Sequence, residues 1–200
     1  MSRKCKFYNK EGLYFVSFAT VNWIDVFVRD HYSWTMIESL DFCRKNKGME
    51  IYAWCIMPSH VHLIFRAKEN NPSDLLRDFK TFTSKKIRKM IEDNPQESRR
   101  ECLPARSRLA KAGILWIACP ALDAGMERAG AKNSNVKGMQ FWQQHNKPIE
   151  LWSSKVIDQK VDYIHDNPVK AGFVNEPYHW KYSSAIDYSG GKGLLEIDYV

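Results

Sequence analysis

Short apolar runs rich in β-forming residues alternate along the chain with segments whose apolar residues recur at helical spacing. Residues 13–20 (LYFVSFAT) combine aromatic and β-branched side chains and predict a first strand. Two further apolar runs, 51–57 (IYAWCIM) and 60–65 (HVHLIF), are separated by Pro58 and Ser59. Because proline and serine favour tight turns, these two runs predict a hairpin.

Helical periodicity predicts two helices around this hairpin. The first covers about 31–47, with Asp30 as its N-cap and Gly48 as the left-handed residue that ends it. The second begins at Asn71 and Pro72, a capping residue followed by a proline suited to the first helical position.

A third helix follows near the C-terminal end of the chain. Ser153 or Ser154 can cap it, and we expect it to end at Asn167, because a residue that precedes a proline avoids the helical region. The order strand, helix, strand, strand, helix, strand predicts an antiparallel sheet with helices packed on it, the ferredoxin-like α+β arrangement.

The length of 200 residues and the 44% hydrophobic content suit one domain over 1–200. One segment, 102–125, is rich in Ala, Arg, Pro and Leu but follows neither a helical nor a strand period. We interpret it as an atypical insert in that domain. A surface excursion of this kind is tolerated, because loop closure entropy grows slowly with loop length.

The charge and the cysteines narrow the class of protein. Lys and Arg outnumber Asp and Glu by 30 to 23, and a net charge of +7 favours a polyanionic partner. The five cysteines are odd in number, far apart and without a Cys-x-x-Cys pair, which argues against a zinc cluster and a disulfide framework. No signal sequence or membrane-spanning run is evident, so we expect a cytoplasmic protein without a membrane partner.

His60 and His62 lie two residues apart on a predicted strand. Side chains alternate along a strand, so both imidazoles face one side while Val61, Leu63 and Phe65 face the core. Imidazole is the commonest side-chain ligand for a divalent ion, and such an ion can polarise a phosphoryl oxygen. Two histidines at this spacing are also compatible with a strand that binds no metal.

Tyr163 shares one stripe of the third helix with Lys160 and Asn167. A phenol can act as a covalent nucleophile, but its high pKa calls for a neighbouring cation or metal ion that favours the phenolate. The alternative from spacing alone is that Tyr163 packs at the helix boundary and Asn167 caps the helix end.

Two long motifs resemble a known family. Residues 54–65 (WCIMPSHVHLIF) resemble the metal-binding motif of the HUH endonucleases, and 163–174 (YIHDNPVKAGFV) is similar to their single-tyrosine motif. Residues 140–148 (QFWQQHNKP) and 180–184 (WKYSS) add to the likeness. In this order the motifs resemble the transposases of REP-associated and related insertion elements.

The resemblance implies a metal-dependent DNA transposase. In such an enzyme His60 and His62 would hold Mg²⁺ or Mn²⁺, with Asn167, one helical turn after the tyrosine, as the remaining protein ligand. Tyr163 would attack a DNA phosphate and leave a 5′-phosphotyrosine and a free 3′-OH. The expected partner is single-stranded or hairpin DNA, the expected state is a monomer or homodimer, and no nucleotide cofactor is required.

Basic residues on two predicted helices are candidates for contact with the DNA backbone, although any solvated helix face carries such residues. The candidates are Arg77, Lys80, Lys85 and Arg88 on the second helix and Lys160 and Lys170 on the third. Two other functions remain open at this stage. One is a hairpin-binding protein derived from such a transposase that does not cleave, and the other is a hydrolase that activates water at the metal.

Overall fold

The computed structural model describes residues 7–68, 71–98, 140–144 and 146–199, so the insert predicted at 102–125 lies outside the described residues. In chain order the elements are β1 (Tyr14–Ala19), α1 (Asp30–Lys47), β2 (Met49–Ile56), β3 (His60–Ala67), α2 (Pro72–Asp93), β4 (Ile149–Glu150), α3 (Ser154–Lys170) and α4 (Ala185–Tyr188). Within the described ranges, none of the helices has the length and apolar character needed to cross a membrane.

The four strands form one sheet in the order β2-β3-β1-β4, and each neighbouring pair runs antiparallel. The β2-β3 hairpin joins at Pro58 and Ser59 as the sequence predicts. In the centre of the sheet β1 pairs with β3, with Ser17 opposite His62 and Ala19 opposite His60. The predicted ferredoxin-like α+β fold is confirmed.

Both faces of the sheet are covered by helices. On one face, alternate residues of β3 such as Val61, Leu63 and Phe65 join the large core formed with α1 and α2. On the other face, Ile64 belongs to a smaller core, to which α3 contributes Ile164. Because side chains alternate along a strand, His60 and His62 face α3 and not α2. This division decides which helix can take part in the site.

The helix ends agree with the predictions at two positions and differ at a third. Gly48 ends α1 in the left-handed conformation, with φ of 63°, and Asn71 caps α2 with its side chain. The prediction that Asp30 is the N-cap of α1 is wrong, because Asp30 is the first helical residue and Arg29 precedes it as the cap. The Asp30 carboxylate instead accepts a hydrogen bond from Lys181 at 3.0 Å.

The prediction that α3 ends at Asn167 is also wrong, since the helix continues through Pro168 to its end at Lys170. Pro168 removes one backbone donor, but its ring is buried, and this packing offsets the missing hydrogen bond. The helix ends where Gly172 turns left-handed, with φ of 75°. The N–H of Gly172 bonds the Val169 carbonyl and the N–H of Phe173 bonds the Pro168 carbonyl, both at 2.9 Å. These are the two bonds of a Schellman motif.

The outer edge of β2 is paired with chain that returns from the C-terminal region. Ile56 donates its N–H to the Tyr182 carbonyl at 2.8 Å, and Ser184 donates its N–H to the Trp54 carbonyl at 3.0 Å. Further along β2, the side chain and the backbone N–H of Asp198 continue this pairing. The C-terminal segment therefore fixes the position of β2.

Candidate active site

Three aromatic side chains from β3 and α3 meet on the α3 face of the sheet. The ring centroids of His60 and His62 are 4.8 Å apart, and those of His62 and Tyr163 are 5.4 Å apart. The strand supplies both imidazoles because its alternation sends them to one side, and α3 crosses that side with Tyr163 turned toward them. The structure thus brings together the two residues that the sequence marks as a ligand pair and the candidate nucleophile.

His62 is buried in this cluster, with 3% of its surface exposed. Neither ring nitrogen has a hydrogen-bond partner, and Phe15 stacks on the ring with centroids 5.8 Å apart. Burial, followed by the proximity of His60, lowers the pKa of His62 to about 3. The nearby side chain of Asn167 raises the pKa of His62 and so offsets part of this lowering. Its amide N–H donates to the Tyr163 carbonyl at 3.0 Å and not to His62. The ring is neutral at physiological pH, with a free lone pair.

His60 is partly exposed at the rim of the cluster. Burial lowers its pKa to about 4, so it is neutral as well. Its Nδ1 lies 3.3 Å from the Ser59 hydroxyl. The ring centroids of Trp23 and His60 are 5.3 Å apart. His60 therefore contacts both its partner histidine and an aromatic side chain.

The phenol of Tyr163 is 42% exposed and can meet a ligand that arrives from solvent. The Lys160 ammonium lies 5.2 Å from the centre of the Tyr163 ring and 4.9 Å from that of Phe15. The predicted stripe of Lys160, Tyr163 and Asn167 thus lies at the site, with the tyrosine in its middle.

The ring nitrogens of His60 and His62 are suited to bind a divalent ion. Two unprotonated imidazoles are the form that ligates metal, and both nitrogens of buried His62 lack a protein partner. In the described part of the chain, no group of three or more His, Cys, Asp or Glu side chains is placed to hold an ion. A complete ligand set would therefore need another type of group, such as the amide oxygen of Asn167, water or substrate.

The basic residues predicted to bind DNA divide between the two faces of the sheet. Lys160 lies at the site, and Lys170 lies at the end of the same helix, paired with Asp166 at 3.3 Å. The candidates on α2 belong to the opposite layer, since α2 packs on the other face. The structure does not bring the α2 residues to the histidines, and their contact with DNA stays a prediction.

The four α2 candidates also differ in environment. Arg77 bonds to the neighbouring carboxylates of Asp74 and Asp78, and Arg88 pairs with Glu92. Lys85 is exposed. Burial lowers the pKa of Lys80 to about 8, and its ammonium donates to the side chain of Asn146 and the carbonyl of Gln143. Of these residues, Lys85 is the one most open to a polyanion.

One buried histidine near the site was not singled out from the sequence. His165, two residues after Tyr163, has its Nε2 2.9 Å from the Ser184 hydroxyl. That hydroxyl also bonds the backbone N–H of Trp54 at 2.9 Å. The contact fastens α3 to β2 beside the tyrosine. The sequence motifs could have indicated this contact, because His165 lies in the motif 163–174 and Ser184 lies in the motif 180–184.

Comparisons with known proteins find similar sequences. Residues 14–103 match the family model described as "Transposase IS200 like", a match that includes both histidines of the site and ends before Tyr163. A protein of Haemophilus influenzae described as a REP-associated tyrosine transposase is 23% identical over 186 residues, which cover 92% of this chain and 85% of the relative.

A solved structure shares the fold. It is described as a REP-associated tyrosine transposase bound to a REP hairpin, and it has a TM-score of 0.59 at 20% identity, covering 100% of this chain and 92% of that one. The resemblance predicted from the two motifs is confirmed.

Proposed function

We propose that this chain, which is related to the IS200-like and REP-associated tyrosine transposases, cleaves and rejoins single-stranded DNA through a phosphotyrosine on Tyr163. The substrate would be DNA that forms hairpins at repeated elements. The reaction would need Mg²⁺ or Mn²⁺ held by His60, His62 and Asn167. Support comes from the geometry of the site and from the names of the similar proteins.

The observation that carries the proposal is the 5.4 Å separation between the rings of Tyr163 and His62 within one chain. A nucleophile and an electrophilic centre must lie close together for an in-line displacement at phosphorus. The phenol is exposed while the imidazole beside it is buried. A phosphate that reaches His62 from solvent would therefore pass the phenol oxygen.

The metal site is proposed from the state of its ligands. The two imidazoles are neutral, and neither nitrogen of buried His62 has a hydrogen-bond partner in the protein. Asn167 lies one helical turn after Tyr163 and brings a neutral oxygen ligand to the same face of α3. A bound divalent ion would withdraw charge from a phosphoryl oxygen.

The covalent step conserves the energy of the phosphodiester. A bond forms between the Tyr163 oxygen and phosphorus, and the bond from phosphorus to the 3′-oxygen of the preceding nucleotide breaks. The leaving oxygen departs with the bonding electron pair, and the phenol proton ends on it, giving a free 3′-OH. The Lys160 ammonium, 5.2 Å from the centre of the Tyr163 ring, would supply positive charge beside the attacked phosphate. Attack by a second 3′-OH on the phosphotyrosine reverses the step and rejoins DNA.

Lys160 is the basic residue best placed to meet the scissile phosphate, and Lys170 continues the same helix. The basic residues of α2 would contact DNA that extends to the other face of the sheet. A contact of this kind predicts affinity that falls with salt, because bound phosphates release counterions. The hairpin named for the structural relative supports a substrate of hairpin form.

The test is a denaturing gel of the protein after incubation with a labelled oligonucleotide that carries a hairpin and a single-stranded flank. With Mn²⁺, wild-type protein should give a shifted band that survives denaturation, and EDTA should abolish it. Tyr163→Phe should bind the oligonucleotide with unchanged affinity and give no band. Tyr178→Phe, which alters another exposed tyrosine, should behave like wild type.

Each contrary result would point to a different function for this protein. A shifted band from Tyr163→Phe would assign the nucleophile elsewhere. Cleavage without a protein-linked product would point to a hydrolase that uses activated water. Hairpin binding by wild type without any cleavage in Mn²⁺ would point to a protein that recognises DNA and does not cut it.

A further inference from the structure

The loop after β1 holds two consecutive residues in the left-handed backbone conformation, which asparagine tolerates and tryptophan does not. Asn22 has φ of 58° and Trp23 has φ of 55°, in the left-handed region that bulky residues rarely adopt. Hydrogen bonds at both ends keep the loop in place. The N–H of Trp23 donates to the Thr20 carbonyl at 3.1 Å, and the Thr20 hydroxyl donates to the Ile24 carbonyl at 2.7 Å.

This loop presents a large apolar ring to solvent instead of burying it. Trp23 is 42% exposed, although tryptophan contributes most to stability when it is buried. Its ring meets the ring of His60 at 5.3 Å and 69°. Backbone strain that persists around an exposed aromatic side chain is typical of a functional position. The neighbour of the ring here is one of the two histidines of the site.

We propose that Trp23 is a stacking platform for the nucleobase next to the phosphate that Tyr163 attacks. The inference rests on the proposed function, since His60 marks where that phosphate would bind. A base attached to the adjoining nucleotide would extend from the histidine pair toward the indole face. Stacking on an aromatic ring suits single-stranded DNA because every base offers a flat face, so the contact tolerates different sequences.

The position of Trp23 separates it from other exposed tryptophans. Trp34 has a similar exposure of 39% but lies on α1, which packs on the opposite face of the sheet, and Lys181 lies over its ring. Trp152 is exposed just before α3 begins. Of these three tryptophans, Trp23 is the one whose ring contacts the histidine pair. Trp34 therefore provides a matched control.

The experiment measures the affinity of full-length protein for a labelled oligonucleotide with a hairpin and a single-stranded flank. Loss of one stacked base weakens binding by about 5- to 150-fold, the fold-change that alanine substitution of stacking aromatics gives. We expect Trp23→Ala to weaken binding within this range, Trp34→Ala to leave it unchanged, and Trp23→Phe to retain most of it. Equal affinities for the two alanine variants would overturn the proposal.

A second comparison identifies the base and guards against misfolding. Oligonucleotides with one abasic site each are scanned along the flank, with wild type and with Trp23→Gly, which removes the ring at a φ that glycine adopts freely. One abasic position should weaken binding to wild type and have no further effect on Trp23→Gly. If every abasic site weakened both proteins equally, Trp23 would not stack on a base.

The result can be read apart from the proposed function. Trp34→Ala, which changes neither the proposed platform nor the histidine pair, should form the phosphotyrosine band as wild type does. Absence of the band from wild type would count against the phosphotyrosine chemistry whatever the abasic scan shows. If wild type forms the band but each abasic site weakens wild type and Trp23→Gly equally, the result would count against the stacking platform alone.

Discussion

Replacement of His62 by leucine should stabilise the metal-free protein, which is unusual for a buried position. His62 is 3% exposed, and neither ring nitrogen has a partner. A buried polar group without a hydrogen bond destabilises a fold by about 1–3 kcal/mol. His62→Leu removes two such groups and keeps a side chain of similar volume among the apolar residues of the α3 face.

The variant also loses three ring contacts, with Phe15, His60 and Tyr163. Aromatic pairs contribute about 0.5–1.5 kcal/mol each beyond their buried area. With the middle of each range, the net change is a gain of about 1 kcal/mol in the free energy of unfolding. For a domain of this size each kcal/mol raises the melting temperature by about 2–4 °C.

Added metal should reverse the advantage. An ion that binds the folded state alone stabilises it by about 2.7 kcal/mol at a concentration 100-fold above its dissociation constant. Wild type should therefore gain stability with Mn²⁺, and His62→Leu, which lacks one ligand, should not.

The measurement is urea unfolding followed by circular dichroism, in EDTA and in Mn²⁺. His31→Leu, at an exposed position on α1, should change the free energy of unfolding by less than about 0.5 kcal/mol. A lower unfolding midpoint for His62→Leu than for wild type in EDTA would refute the reasoning, because it would mean that the imidazole is satisfied in the folded protein.

Two further predictions concern stability alone. The pKa values of His60, His62 and His165 are lowered by burial to about 4, 3 and 4, so the folded protein binds fewer protons than the unfolded chain below pH of about 6.5. The contribution of these neutral rings to the free energy of unfolding should be fully present above that pH. It should decline as the pH falls toward the folded pKa values of about 3 to 4. Between pH 7 and pH 5, each of these rings should lower the free energy of unfolding by about 2 kcal/mol. In urea titrations without metal, His62→Leu should lose about 2 kcal/mol less than wild type over this range, and equal losses would contradict the prediction. Gly172→Ala places a Cβ where nothing lies within 4 Å, at φ of 75°, so strain alone should lower the free energy of unfolding by about 1 kcal/mol. An unchanged midpoint would argue against the left-handed end of α3.

Local patterns predicted the parts of the site that lie within single elements. The alternation of His60 and His62 and the stripe formed by Lys160, Tyr163 and Asn167 follow directly from the geometry of strands and helices. The structure places all five residues on one face. The β2-β3 hairpin and the start of α2 were equally readable, because turn and cap residues act over a few positions.

The packing of one element against another could not be predicted from local sequence patterns. Periodicity shows that a helix has an apolar side but not which face of the sheet it covers, and the separation of α2 from the histidines could not be foreseen from Lys85 or its neighbours. The continuation of α3 through Pro168 depends on burial of that ring, a tertiary effect that overrides a local preference. The exposure of Trp23 depends on the backbone of its loop, where Asn22 is a residue type that tolerates the left-handed conformation but Trp23 is not.

The pairing of β2 with residues 182–184 and with Asp198 has a consequence for handling the protein. An unpaired outer strand offers backbone donors and acceptors to any neighbouring chain and promotes aggregation. Here the polypeptide's own tail occupies those groups at Ile51, Trp54 and Ile56. Shortened forms that stop soon after α3 would expose these backbone groups. Poor recovery of such fragments would then reflect aggregation through the unpaired edge of β2 and not damage to the candidate active site.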